Sequence, residues 1–168
     1  IEIKKRIGIL FGNDTGLYAR LTAYENISYF ADFYGVPKEK QSDQIKIWSD
    51  QLDLTPHLHK PAGQLSKGNK QKVAILRTLI HDPELIFFDE PTTGLDIEAS
   101  FQFQDIVRQL QDRGKTILFS THILEEVTEL AQSIGILQKG EILFNGKLAD
   151  LYQAYDSDNL VKIMRKLI

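Results

Sequence analysis

Two short apolar runs limit what this chain can fold into more than any other feature: LIFFD at 85–89 and TILFS at 116–120. Neither alternates apolar with polar residues. Continuous runs of this length fit strands buried on both faces, as in a parallel sheet layered with helices. Between them, IEASFQFQDIVRQLQDRG carries a helical pattern closed by Gly114. Before them, LSKGNKQKVAILRTLIHD reads as a helix opening at Ser66, with Val73, Leu76, Leu79 and Ile80 inward and Pro83 as the stop. After them, THILEEVTELAQ reads as another helix. Helix, strand, helix, strand and helix in succession predict an open α/β sheet.

The flanks fill in the organisation. IKKRIGILF reads as a strand that ends in the turn signal Gly12-Asn13-Asp14. Thr22 and Glu25 form a capping box, and Ile27, Phe30, Ala31 and Tyr34 follow at helical spacing up to Gly35 and Pro37. KEKQSDQIKIWSDQLDL is a second amphipathic helix, with Ile45, Trp48 and Leu52 on one stripe, and 56–63 is loop. Downstream, SIGILQKGEILFNGKL is a hairpin turning at Lys139-Gly140. ADLYQAY and DNLVKIMRKLI close the chain as two short helices.

Composition excludes several classes. With 168 residues the chain can bury a real core. It has no cysteine, so disulfides and Cys-based zinc sites are out. The net charge is −3, with basic residues spread among acids, so a nucleic-acid partner is not expected. No apolar run approaches the ~20 residues that span a bilayer, and there is no signal peptide pattern.

The chemistry gathers where the buried strands end. Ligands of open α/β sheets bind beyond the carboxyl ends of the strands, and Asp89 and Glu90 stand there. Alternation along a strand points the two carboxylates in different directions. One acid can then hold Mg²⁺ through water while the other polarises an attacking water. A bare Asp-Glu pair is, taken alone, more often a solvated loop. Ser120, Thr121 and His122 follow the other strand onto the same rim, where a histidine can donate to a phosphate oxygen or merely precede a helix. Ser66 and Gly68 open a helix whose free N–H groups and dipole suit an anion, with Lys67 adding charge. Alone, that too reads as an ordinary helix cap.

As a set, and in this order, LSKGNKQKV, LIFFDEPTTGLD and STH resemble the signature motif, Walker B strand, D-loop and H-loop of ABC-transporter ATP-binding subunits. The hairpin GILQKGEILFNG resembles the strand pair that follows the H-loop in that family. GLYARLTAYENISYFADFYGV is most similar to the NatA-like branch, whose permeases are ABC-2 exporters. The resemblance implies a P-loop NTPase fold of the ABC type, a parallel sheet flanked by helices with an α-helical subdomain. It implies a helical subdomain over about 14–66, a core part over about 67–146 and C-terminal helices over about 147–168. It implies ATP and Mg²⁺ as cofactors, a second ATP-binding subunit and an integral membrane permease as partners, and a place on the inner face of the cell membrane.

Residue by residue, the resemblance implies that Asp89 coordinates Mg²⁺ through water and Glu90 orients or deprotonates the attacking water. His122 would contact the γ-phosphate, and Asp96 would lie at the subunit interface. Ser66 and Gly68, with Lys67 and Asn69, would meet a nucleotide held by the opposite subunit. The chain departs from the family pattern at three places. Lys67 and Asn69 replace a glycine and a glutamine of the usual LSGGQ. Gly12 or Asn13 holds the place of the Q-loop glutamine. G-x-x-x-x-G-K-[ST], the phosphate cradle, is absent from the sequence.

In the family that cradle lies upstream of IKKRIGIL, on a strand–loop–helix unit of roughly 30 residues or more. Ile1 as first residue, with Met164 the only methionine, fits a C-terminal part of a longer subunit. The strand of that unit belongs between strands present here, so an exposed sheet edge is expected, as is weak or absent ATP binding by the 168-residue chain alone. Two other readings are a shortened subunit that completes a partner's ATP site without hydrolysis, and a soluble ABC ATPase of repair or translation.

Overall fold

The computed structural model describes residues 2–12 and 16–167, so Asn13 lies outside the described residues. The chain divides after Ser120 into two compact units, Ile1–Ser120 and Thr121–Ile168.

The first unit is built on three parallel strands, β1 (Ile7–Leu10), β2 (Leu85–Asp89) and β3 (Thr116–Ser120), with β2 in the centre. Four helices accompany them: α2 (Ala23–Tyr34), α3 (Lys38–Gln51), α4 (Lys67–Leu79) and α5 (Ile97–Asp112). A single helical turn, α1 (Glu2–Lys5), precedes β1. The expected strand over IKKRIGILF is therefore shorter than predicted. Its pairing with β2 begins at Ile7↔Leu85, next to the Arg6 carbonyl, which accepts from the Glu84 and Leu85 N–H groups, and Glu2–Lys5 are taken up by the helical turn.

The α/β architecture follows the sequence closely in its helices. Thr22 accepts from the Glu25 N–H while the Glu25 carboxylate accepts from the Thr22 N–H at 2.8 Å, a complete capping box. Gly35 ends α2 in the left-handed conformation, φ 76°. Ile45, Trp48 and Leu52 of the α3 stripe are buried, as are Val73, Leu76, Leu79 and Ile80 of the α4 stripe. The loop 56–63 contains the end of one short 3₁₀ turn, Thr55–His57, and the start of another, Ala62–Gln64.

The strands are less buried than their composition predicts. Ile86 and Phe88 of β2 are buried on one face, where Phe88 meets Phe103 of α5 edge-to-face at 5.2 Å. On the other face, pairing aligns Ile9, Phe87 and Leu118 in one row, and Ile9 is 46% and Leu118 61% exposed. The expectation of strands buried on both faces is corrected: an apolar run reports that a strand can be covered twice, not that it is. β1 and β3 each have a single ladder partner among the described residues, so both are edges of this sheet.

The second unit holds α6 (Leu124–Leu130), the antiparallel hairpin β4 (Ser133–Gln138) and β5 (Glu141–Lys147), α7 (Leu148–Ala154) and α8 (Leu160–Leu167). Lys139 and Gly140 turn the hairpin with φ of 49° and 85°, the two left-handed residues of a tight hairpin turn. Ile136, Leu148, Leu151, Leu160 and Ile163 form its core. No helix among the described residues is long and apolar enough to cross a membrane.

Candidate functional site

Parallel pairing sets Asp89 opposite Ser120, and this register builds the polar rim of the sheet. The Ser120 hydroxyl donates to Asp89 Oδ1 at 2.6 Å. The Gly12 N–H, just past β1, donates to Asp89 Oδ2 at 3.2 Å. A Cβ on Gly12 would lie 3.1 Å from the Asp89 carboxylate, so a side chain there would crowd it. Each Asp89 oxygen accepts one of these bonds and keeps a further lone pair, and the residue stays exposed.

Glu90 leaves the strand in a different direction. Its backbone is left-handed, φ 43°, which is uncommon for a side chain of this size. Its N–H lies 3.0 Å from the Ser120 hydroxyl oxygen and 3.2 Å from the Ser120 carbonyl. Its carboxylate accepts from the Thr93 hydroxyl at 3.1 Å. Buried Gln71, on α4, donates to the Pro91 carbonyl at 2.8 Å and fixes the turn that follows. The two adjacent acids thus occupy separate surroundings, but through the left-handed turn at Glu90 and not through the strand alternation expected, because β2 ends at Asp89.

A second group lies at the paired starts of α4 and α5. Ser66 caps α4, its hydroxyl accepting from the Asn69 N–H at 3.2 Å. Asp96 caps α5, its carboxylate accepting from the Ala99 N–H at 2.8 Å. Between them lies an open concavity of about 510 Å³ lined by Ser66, Lys67, Gly68, Asn69, Lys72 and Asp96, among others. Gly94, at φ 87°, also lines it, and the Lys67 stem passes close by: a Cβ on Gly94 would sit 2.8 Å from Lys67 Cε. Lys67, Lys72 and the start of α4 favour anions in this concavity, while the Asp96 carboxylate occupies the start of α5.

The structure therefore brings together two sets of predicted residues in the first unit: Asp89, Glu90 and Gly12 on the sheet rim, and Ser66, Lys67, Gly68, Asn69 and Asp96 around the concavity. His122 belongs to the second unit and is exposed. Beside it the Thr121 hydroxyl accepts from the Ile123 N–H at 3.0 Å and donates to the Glu126 carboxylate of α6 at 2.6 Å. Sequence reasoning placed Ser120 on the rim without giving it a role. It did not find Gln71 or Thr93. The signal for Ser120 was strand register, which no local pattern carries. Among the described residues, no group of three or more His, Asp or Glu side chains could hold a metal. A hard cation here would rely on Asp89 together with the oxygens of a bound phosphate.

The family model "ABC transporter" matches residues 1–93. The ABC transporter ATP-binding protein NatA of Bacillus subtilis (strain 168) is 46% identical over 168 residues, covering 99% of this chain and 68% of that protein. The bacitracin transport ATP-binding protein BcrA of Bacillus licheniformis is 36% identical over 143 residues, covering 84% of this chain and 45% of that protein. A solved structure described as an ATP-binding subunit of an ABC transporter superposes with a TM-score of 0.89 at 26% identity, covering 98% of this chain and 69% of that one. The ordered match of motifs, the fold and the identity to NatA agree, and this chain belongs to the ABC transporter ATP-binding family.

Proposed function

We propose that this chain supplies the ATP-hydrolysing part of an ABC exporter, working with a second ATP-binding subunit and a membrane permease on the cytoplasmic face of the membrane. The observation that carries this reading is the pair Asp89 and Glu90 at the end of β2, tied to one hydroxyl of β3 but facing separate surroundings. Phosphoryl transfer needs positioning and charge neutralisation more than covalent chemistry. Asp89, exposed and steadied by Ser120 and Gly12, suits a Mg²⁺ ion held through water. Glu90 suits the orientation or deprotonation of the attacking water, and the left-handed backbone at Glu90 turns it away from Asp89.

The remaining residues take the roles their family counterparts have. Ser66, Lys67, Gly68 and Asn69 would meet the phosphates of a nucleotide held by the opposite subunit, and the anion-favouring concavity supports this. Asp96 would face that subunit, His122 would contact the γ-phosphate, and Gly12 or Asn13 would occupy the Q-loop position. The segment 14–66 would serve as the helical subdomain. ATP supplies the phosphoryl group and Mg²⁺ neutralises its charge. NatA, named as an ABC transporter ATP-binding protein, and BcrA, named for bacitracin transport, support the transporter setting.

Glu90→Gln tests the reading in the protein expressed from its complete gene. Binding of Mg-ATP should stay within about threefold, while steady-state turnover falls at least about a hundredfold. Turnover near the wild-type rate would remove Glu90 from its role as base.

A further inference from the structure

Helix α4 holds the turn after β2 at two points, one helical turn apart. Buried Gln71 donates to the Pro91 carbonyl at 2.8 Å. Lys67, four residues earlier and on the same face of α4, reaches the far end of that turn. A Cβ built on Gly94 would lie 2.8 Å from Lys67 Cε, 3.0 Å from Cδ and 3.3 Å from Cγ, so three carbons of the stem run along this glycine. A Cβ on Gly68 would be 3.4 Å from the Gly94 carbonyl oxygen, an ordinary van der Waals distance. The first turn of α4 therefore approaches Gly94 with backbone and side chain together. Gly94 is left-handed, φ 87°, and the Leu95 N–H beyond it donates to the Thr92 carbonyl at 3.0 Å. Two residues past Gly94, the Asp96 carboxylate caps α5 through the Ala99 N–H.

Lysine suits this contact because its stem is apolar and its charge is terminal. The methylenes cover the Gly94 backbone, while the ammonium stands one bond beyond Cε on an exposed residue. We infer that the Lys67 stem is a brace between the start of α4 and the Gly94 turn, which makes Lys67 a positioning residue for Asp96 as well as a source of charge. The glycine of the usual LSGGQ has no stem, so the brace belongs to this chain's departure from that pattern. The start of α4 and Asp96, which the proposed function turns towards the opposite subunit, then keep a fixed spacing. The packing stands without that reading, and only the activity arm of the test rests on it.

The test uses the protein expressed from its complete gene, with Lys67→Ala and Lys67→Met. Alanine removes stem and charge together. Methionine removes the charge and keeps an unbranched stem that reaches as far as Cε. In Lys67→Ala, amide hydrogen exchange over 95–99 should speed up about fivefold, with 73–79 of α4 and 103–110 of α5 within about twofold of wild type. In Lys67→Met, exchange over 95–99 should stay within about twofold of wild type. Steady-state turnover should split the two roles: Lys67→Ala lowers kcat for ATP about tenfold, whereas Lys67→Met raises KM about threefold and recovers most of kcat. Unchanged exchange over 95–99 in Lys67→Ala, or equal acceleration throughout the chain, would overturn the inference. So would a Lys67→Met protein that matches Lys67→Ala in exchange or in kcat, because the charge and not the stem would then be responsible. A wild-type protein that turns over no ATP would instead remove the ATPase reading, and the exchange of the two variants alone would then decide the role of the stem.

Discussion

Glu90 shows how a single residue joins backbone conformation to chemistry. A left-handed φ of 43° is tolerated by glycine and resisted by residues with a Cβ, at about 1 kcal/mol. The surrounding bonds hold it there: its N–H to Ser120, its carbonyl accepting from the Thr93 N–H at 3.2 Å, and its carboxylate accepting from the Thr93 hydroxyl. Removing the carboxylate in two ways separates the contributions. Glu90→Ala and Glu90→Gly both abolish the acid, yet only glycine relieves the backbone. Urea unfolding should find Glu90→Gly more stable than Glu90→Ala by about 1 kcal/mol. The reverse order would mean that the left-handed conformation is not strained here. The sequence identified Glu90 as a candidate because it follows a buried strand, but its conformation was hidden. Nothing local distinguishes an Asp-Glu pair that continues a strand from one that turns out of it.

At the scale of elements, legibility depends on whether the cause is local. The start of α2 was readable because a capping box is made within four residues, and Thr22 and Glu25 make it as expected. Thr22→Ala should lower stability by about 1 kcal/mol in urea unfolding. Because the two side chains cap each other, the loss from the double variant Thr22→Ala with Glu25→Ala should be smaller than the sum of the single losses. Strict additivity would show that the two caps act independently. The hairpin turn at Lys139-Gly140 was legible for the same local reason. The burial of β3 was not. TILFS has the composition of a strand covered on both faces, but Leu118 is largely exposed, because burial is decided by which neighbours are present. The rim bond from Ser120 to Asp89 was likewise beyond local reading, since it depends on residues 31 positions apart being brought into register.

Across the whole molecule, titration should divide the loss of stability on acidification into two windows with different physics. Burial pushes the His81 imidazole below its ordinary 6.5, outweighing the Ile7 carbonyl and Asp82, which favour the proton, while Lys115 opposes it. The ring also lies flat on Tyr34, and its Nδ1 is buried without a hydrogen-bond partner, so the folded state favours the neutral form. Below 6.5 the unfolded chain binds a proton that the folded chain resists. Stability from this group is therefore complete above about 6.5 and declines as the pH falls towards the lowered folded value. The second window opens below about 4.5. Glu84 beside Arg6, Asp32 beside Lys38 and Gln41, and Glu25 in its capping box are all held below the ordinary carboxylate range, and their contribution is lost as they protonate. Salt separates the causes. Glu84 and Asp32 lean on exposed cations, which salt screens, whereas Glu25 and His81 answer to neutral groups or to burial. Urea unfolding from pH 8 to 3 should show both declines. Raising the salt from about 0.05 to 0.5 M should shrink the lower one in part and leave the upper one in place. His81→Gln should remove the upper decline alone. An upper decline that survives that substitution would place its origin elsewhere in the molecule.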